Sequence, residues 1–224
     1  MTVLPFFDPR AVPVLGNDAH LPRVATHALH PEALIARFAQ PHTWQPERVT
    51  EDRFSDREPV HASVLIPIIV RERPMVLLTE RTTHLSSHSG QVAFPGGKAD
   101  IDDVDAAFTA LREAQEEVGL APEFIQVIGR LPVYTTGSAF IVSPIVALVH
   151  PGFVIRANPH EVADVFEVPL DFLMDPANHH RHAVDWAGQR REWLSMPYQE
   201  GDKEHFIWGA TAGMLRNLYQ FLSL

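Results

Sequence analysis

Apolar residues fall in short dense runs along most of the chain, and the spacing within each run separates strands from helices. Residues 61–70 and 74–79 are rich in Val, Ile and Leu and flank the charged turn Arg71-Glu72-Arg73, which predicts two strands paired as a hairpin. Further strand-like runs lie at 125–133, 140–149, 162–168 and 191–196. Over 105–118 the period changes: Ala107, Leu111, Ala114 and Val118 form one helical stripe, and Gly119 stands where a C-terminal glycine is expected. A short helix is predicted over 30–38, with Pro31 at its first position, and a closing helix from Gly209 to Leu224. Strands and helices mix without a regular βαβ rhythm, so the fold class is α/β in the broad sense, an α+β domain on a mixed sheet. Residues 1–58, rich in Pro, His and Arg, read as an N-terminal extension with one short helix and no second core, and 59–224 read as the main domain.

The 105–118 helix carries chemistry as well as packing. At about 100° per residue, Glu113, Glu116 and Glu117 fall on one face and the apolar stripe on another. Like charges at these spacings cost a few tenths of a kcal/mol per pair, a cost that disappears when a hard divalent cation takes their oxygens. A lone Glu-Glu pair would read as a solvated acidic face. Here Gly96-Gly97 lies just upstream and permits close approach of backbone to a ligand, and oxygen donors suit Mg²⁺ or Mn²⁺ far better than zinc. Arg112 is placed to hydrogen-bond and orient one of the carboxylates.

Charge narrows the functional classes. With 28 acids against 18 Lys and Arg the net charge is -10, which repels polyanions; nucleic acid is not an expected partner, and a phosphorylated ligand would need local cations or metal. The chain has no Cys, which excludes disulfides, thiolate metal sites and thiol catalysis, and suits a reducing compartment. The start MTVLPFFDPRAVPVLG lacks a basic segment followed by an apolar run, and no apolar stretch reaches about 18 residues, so no membrane association is expected and the reading is cytoplasmic.

The segment 97–120 resembles the Nudix box, Gly-x5-Glu-x7-Arg-Glu-U-x-Glu-Glu-x-Gly-U with U aliphatic. Its second half is carried without a gap by Arg112-Glu113-Ala114-Gln115-Glu116-Glu117-Val118-Gly119-Leu120, while Asp103 occupies the early Glu position at a spacing one residue longer. Upstream, Leu77-Leu78-Thr79, Arg81, Gly90 and Phe94-Pro95-Gly96-Gly97 resemble a second signature, that of the coenzyme A pyrophosphatase branch, with Thr82 at a small-residue position and Ser86 at a basic one. Looser likeness continues through 158–162, 166–170 and 206–213.

The resemblance implies a mixed β-sheet sandwiched between helices and metal-dependent hydrolysis of the coenzyme A pyrophosphate to 3′,5′-ADP and 4′-phosphopantetheine. By match to the box it makes Glu113, Glu116, Glu117 and the Gly97 carbonyl the ligands of Mg²⁺ or Mn²⁺, with Glu113, Glu116 and Arg112 in catalysis. Glu161 is the first candidate for a further carboxylate, and reads equally as a solvated loop acid. Substrate contacts are implied for Arg81, Gly96 and Gly97, although Arg at a strand end more often pairs on the surface. The implied partner is a small nucleotide-like substrate, with a homodimer among the allowed assemblies. Two alternatives stay open: hydrolysis of another nucleoside diphosphate derivative such as ADP-ribose, favoured by the missing cation at Ser86, and a ligand-sensing module, disfavoured by the intact acids. The tract His179-His180-Arg181-His182 reads as a solvated loop, Phe206 and Trp208 as core, and Asp100, Asp102 and Asp103 as turn and capping residues.

Overall fold

The computed structural model describes residues 8–40, 43–82, 90–186 and 188–224. In chain order the elements are β1 (Gly16–Asn17), α1 (Pro31–Ala39), β2 (Val60–Ile69), β3 (Met75–Arg81), β4 (Val92–Ala93), β5 (Gly96–Lys98), α2 (Ala106–Val118), β6 (Ile125–Arg130), β7 (Tyr134–Thr135), β8 (Phe140–Val149), β9 (Val162–Pro169), α3 (Leu170–Leu173), β10 (His180–Trp186), β11 (Gln189–Glu200), β12 (Lys203–Trp208) and α4 (Gly209–Leu222). The larger sheet runs β4-β3-β2-β8-β6, with β5 on β2, β7 on β8 and β9 on β3; the smaller runs β1-β10-β11-β12.

β2 and β8 pair in parallel over their full length, from Val60↔Phe140 to Ile69↔Val149, and the other pairs in the larger sheet are antiparallel. The expected hairpin of the first two strands is therefore only its turn. Ile68↔Val76 and Ile69↔Met75 are the registered pairs of β2 with β3, which then leaves β2 and pairs along its length with β9. A charged tight turn specifies only that two strands meet, and longer-range partners decide the rest.

Strand alternation divides the core into two layers. Leu65, Ile69, Leu77, Ile145, Ala147 and Val149 pack on Ala110, Ala114 and Val118 of α2. The intervening Ile66, Ile68, Val76, Leu78, Val146 and Leu148 pack with Leu34 of α1, Leu215 and Leu218 of α4, and Met196 and Ile207 of the smaller sheet. The larger sheet is thus covered by α2 on one face, and by α1, α4 and the smaller sheet on the other.

The N-terminal residues join this second layer: Val24, Leu29 and Leu34 are buried in it. Arg37 donates through Nε and Nη2 to Phe221 O at 3.0 and 2.7 Å, and Tyr219 donates its hydroxyl to Pro22 O at 2.7 Å. Asp18 and Glu47 bind Arg181 and Arg216, whose guanidinium is 3% exposed. The segment therefore shares the domain's core and builds none of its own.

The His tract is corrected by the fold. His180, Arg181 and His182 lie on β10, and His182 is buried, as is His179 just before the strand, so the tract is not a solvated loop. Alternating basic and imidazole side chains conceal a strand whose inward partners are polar. Among the described residues no helix is long and apolar enough to cross a membrane.

Candidate active site

Local signals set α2 in place. Asp105 caps it by accepting from Phe108 N at 2.8 Å, and Gly119 ends it at φ 69°, where a side chain would be strained. The alanines of its inner face bring it close to β2 and β8. Its burial departs from the expected stripe: Ala114 and Val118 are buried, but Thr109, Ala110 and Glu117 are buried with them, while Ala107 and Leu111 are only half-buried. The acids consequently span a gradient, with side-chain exposures of 59% at Glu116, 15% at Glu113 and 4% at Glu117.

Glu117 meets the glycine pair. Gly96 N–H donates to its Oε2 at 3.1 Å, and Arg81 Nη1 stands 3.6 Å from its Oε1. Burial pushes its pKa up to about 7, against the lowering by Gly96 N–H and Arg81, and the charges of Glu113 and Glu161 add to the rise. Glu113 is raised too, chiefly by burial, with Arg112 opposing and Glu116 and Glu161 adding. β5 carries Gly96 and Gly97 against Val64 and Ser63 of β2. A Cβ on Gly97 would fall 2.4 Å from the Glu113 Cδ, so the missing side chain is the space that the Glu113 carboxylate occupies.

Arg112 organises the exposed half. It donates to Asp103 through Nε (3.0 Å) and Nη2 (2.9 Å), to Glu113 (2.9 Å) and Glu116 (3.2 Å) through Nη1, and to Lys98 O at 3.1 Å. This planar fork holds the Asp103 carboxyl well below the usual carboxylate range, aided by Asp100 N–H. Asp103 is thus an anchor for Arg112 as well as a turn residue, and Asp105 performs the helix capping. Its place at the early acidic position of the box was the signal for this.

Glu161 sits in the turn before β9. Its carbonyl accepts from Thr82 N at 3.0 Å, tying the turn to the end of β3, and Asn158 donates to its Oε1 at 3.4 Å. Its charge acts on both Glu113 and Glu117, Arg112 joins Glu113 to Glu116, and Gly96, Gly97 and Arg81 border Glu117 and Glu113, but among the described residues these acids do not bring three ligand atoms within 4.8 Å of one another. Asn158, which holds Glu161, was not anticipated. Ser86 lies outside the described residues. Phe206 is buried on β12, in keeping with a core role. Elsewhere, Glu80, Asp164 and His205 bring three donor atoms within 4.8 Å, but Lys203 Nζ lies 2.9 and 2.7 Å from the two carboxylates and supplies the cation there.

The donor set by α2 fits a hard dication. Its side-chain donors are carboxylates, and the most buried of them is only partly compensated by Arg81.

Residues 59–187 match the NUDIX domain family. The chain belongs to the Nudix family. It is 44% identical over 160 residues to a protein of Photorhabdus laumondii named uncharacterized Nudix hydrolase NudL, covering 71% of this chain and 83% of that one. A protein of the same name from Enterobacter sp. (strain 638) is 39% identical over 194 residues, 86% and 95% of the two chains. Among solved structures, the chain is similar to a MutT/nudix family protein from Enterococcus faecalis (TM-score 0.47, 14% identity, 86% of this chain and 69% of that one). It is also similar to a C. elegans Ap4A hydrolase binary complex (TM-score 0.44, 18% identity, 52% and 85%). Nudix hydrolases act on phosphoric anhydrides of nucleoside diphosphate derivatives and generally use divalent metal ions, and this chain is a member.

Proposed function

We propose that this Nudix hydrolase cleaves the pyrophosphate of coenzyme A and its derivatives to 3′,5′-ADP and 4′-phosphopantetheine, in the cytoplasm, with Mg²⁺ or Mn²⁺. The observation that carries this reading is the meeting of two motifs: Arg81, a fixed position of the coenzyme A signature, reaches Glu117 of the Nudix box.

Glu113, Glu116, Glu117 and the Gly97 carbonyl would hold the metal. When bound, it supplies charge neutralisation at the pyrophosphate and acidifies the attacking water. The chain's own residues do the rest. Arg112 keeps Glu113 and Glu116 oriented by hydrogen bonds while itself fixed by Asp103. Arg81 has a buried Nε without a partner among the described residues, and a guanidinium in that state supports a phosphate contact. Glu161, positioned by Asn158 and close in charge to the helix acids, is the candidate to take the proton from water, with Glu113 the alternative.

The second reading, another nucleoside diphosphate derivative such as ADP-ribose, is favoured by Ser86 at the basic position of the signature. Steady-state turnover of coenzyme A, ADP-ribose, NADH and diadenosine polyphosphates with Mg²⁺ and with Mn²⁺ separates the two. The highest kcat/KM on coenzyme A supports the proposal, and preference for ADP-ribose overturns it.

A further inference from the structure

Thr82, the residue that follows β3, stands between two parts of the site. Arg81 beside it reaches Glu117, and Arg81↔Val162 is the last registered pair of β3 with β9, just past a shift in register between Glu80 and Arg81. Beyond that pair the ladder stops and Thr82 makes a different connection. Its N–H donates to Glu161 O at 3.0 Å, and its hydroxyl donates to His160 O at 3.3 Å. These carbonyls belong to the two peptide units on either side of the Glu161 Cα. Each unit is planar, so holding both limits the two backbone torsions that aim the Glu161 side chain. Thr82 is 8% exposed, and a hydroxyl buried that far is costly without a partner; the partner it has lies in this turn.

The same turn is held from α2. Asn158 N–H donates to Glu117 O at 2.8 Å, and Asn158 O accepts from Glu161 N at 3.1 Å and from Val162 N at 2.9 Å. Asn158 Nδ2 reaches Glu161 Oε1 at 3.4 Å, a long bond that leaves much of the aim of the carboxylate to the backbone beneath it. Main-chain bonds thus tie Glu161 to the helix of Glu117, and Thr82 ties it to the strand end that carries Arg81. A shift of the turn by about 1 Å at a reacting centre costs roughly 100-fold in rate, so both attachments bear on the chemistry.

We propose that Thr82 is a positioning residue of the reaction: its N–H and hydroxyl hold the two carbonyls that flank the Glu161 Cα, and so set the Glu161 carboxylate against Arg81 and the acids of α2. The inference rests on the reading of Glu161 as proton acceptor given above, and not on which nucleotide is cleaved.

Thr82→Val keeps the branched shape and the N–H and removes the hydroxyl donor, whereas Thr82→Ser keeps the donor. Both are compared with the parent by steady-state kinetics with Mn²⁺, on coenzyme A or on ADP-ribose where that is the better substrate. Urea unfolding and Mn²⁺ titration, followed by the electron paramagnetic resonance of the free ion, accompany the kinetics. Thr82→Val should lower kcat about tenfold while KM and the Mn²⁺ dissociation constant stay within about threefold, and Thr82→Ser should stay within about threefold of the parent throughout. In a Glu161→Gln background, already slow, Thr82→Val should cost less than about threefold more, because its effect runs through the missing carboxylate. Four results would each overturn the proposal: a Thr82→Val protein that unfolds at lower urea but keeps kcat, equal losses in Thr82→Val and Thr82→Ser, a full further loss in the Glu161→Gln background, or a loss that excess Mn²⁺ restores. Parental kcat in Glu161→Gln would overturn the assignment of Glu161 and this inference with it. A slow Glu161→Gln together with any of the four results overturns this inference and leaves the assignment of Glu161 standing.

Discussion

Alanine at Gly97 and alanine at Gly96 should have opposite consequences although the two residues are neighbours on β5. Neither has a positive φ, so the backbone accepts a side chain at both and the outcome rests on what the new Cβ meets. At Gly97 it would lie 2.4 Å from Glu113 Cδ and Oε2 and 2.6 Å from Oε1, the far end of a flexible side chain. Ordinary contact needs about 3.5 Å, so the carboxylate must retreat by about 1 Å. That retreat costs below about 1 kcal/mol of stability, but a 1 Å misplacement at a reacting centre costs roughly 100-fold in rate. At Gly96 the Cβ would lie 2.4 Å from Ser63 O and 2.7 Å from Val64 Cα, backbone of the central β2, which cannot yield without disturbing the parallel β2–β8 ladder. Overpacking there should cost roughly 3 kcal/mol. Urea unfolding of both variants, with Mn²⁺-dependent turnover of coenzyme A, reads both effects. The Gly97 carbonyl survives in Gly97→Ala, so the experiment addresses Glu113 specifically. A folded Gly97→Ala within about threefold of parental turnover, or stability losses equal at the two positions, would refute the reasoning.

Glu117→Gln should keep the fold and cut turnover at least about 100-fold, because an amide is a poor ligand for a hard dication; steady-state rates within about threefold of the parent would sink its assignment as a ligand. Arg112→Ala removes the fork that orients Glu113 and Glu116 and should weaken Mn²⁺ binding roughly 10- to 100-fold, with part of the rate restored by excess Mn²⁺. No recovery at high Mn²⁺ would move Arg112 to substrate binding or folding. His179 donates through Nε2 to Leu173 O at 2.8 Å and accepts at Nδ1 from Arg216 at 3.0 Å, and burial, with the Arg216 charge, holds its pKa down to about 4. The unfolded chain binds that proton near 6.5, so the stabilisation is full above 6.5 and lost as pH falls toward 4, amounting to about 2 kcal/mol between pH 7 and pH 5. Urea unfolding at those two pH values should show that share missing in His179→Gln, and an unchanged difference would refute it.

The parts of the fold legible in the sequence are those whose signals are local. Val60–Ile69, Phe140–Val149 and Ala106–Val118 are specified by apolar period, by the Asp105 cap and by Gly119, and their ranges follow those signals closely. Partners at long range were not legible: nothing within residues 61–79 says that β2 will run parallel to a strand eighty residues later. β10 was hidden because His180, Arg181 and His182 are polar by composition, and the partners of Arg181 and His182 are Asp18 and Val12 O, far away in sequence, and Ser195 on the adjoining strand β11. The packing of the N-terminal segment on the domain was hidden for the same reason, since its few apolar residues are scattered among prolines and their partners lie far along the chain. The acids of α2 were legible as a group through their i, i+3 and i+4 spacing. Their unequal burial was not, because it depends on how far α2 rotates against β2 and β5.

That inequality shapes the chemistry proposed for the site. Arg112 spends its donors on the buried Asp103, on the more exposed Glu113 and Glu116, and on the Lys98 carbonyl, and none of them reaches Glu117. Glu117, the most buried acid of α2, has one backbone N–H and a guanidinium at 3.6 Å, too far for a full hydrogen bond. The shortfall in positive charge is therefore concentrated at the inner carboxylate, and it deepens when Glu113 and Glu161 are ionised beside it. A dication shared by these acids would relieve desolvation and mutual repulsion together, so part of its binding energy is repulsion already stored in the folded chain. Neutralising Arg81 would deepen the shortfall, whereas neutralising Glu117 would erase it along with the ligand, and the two substitutions should shift metal affinity through different causes.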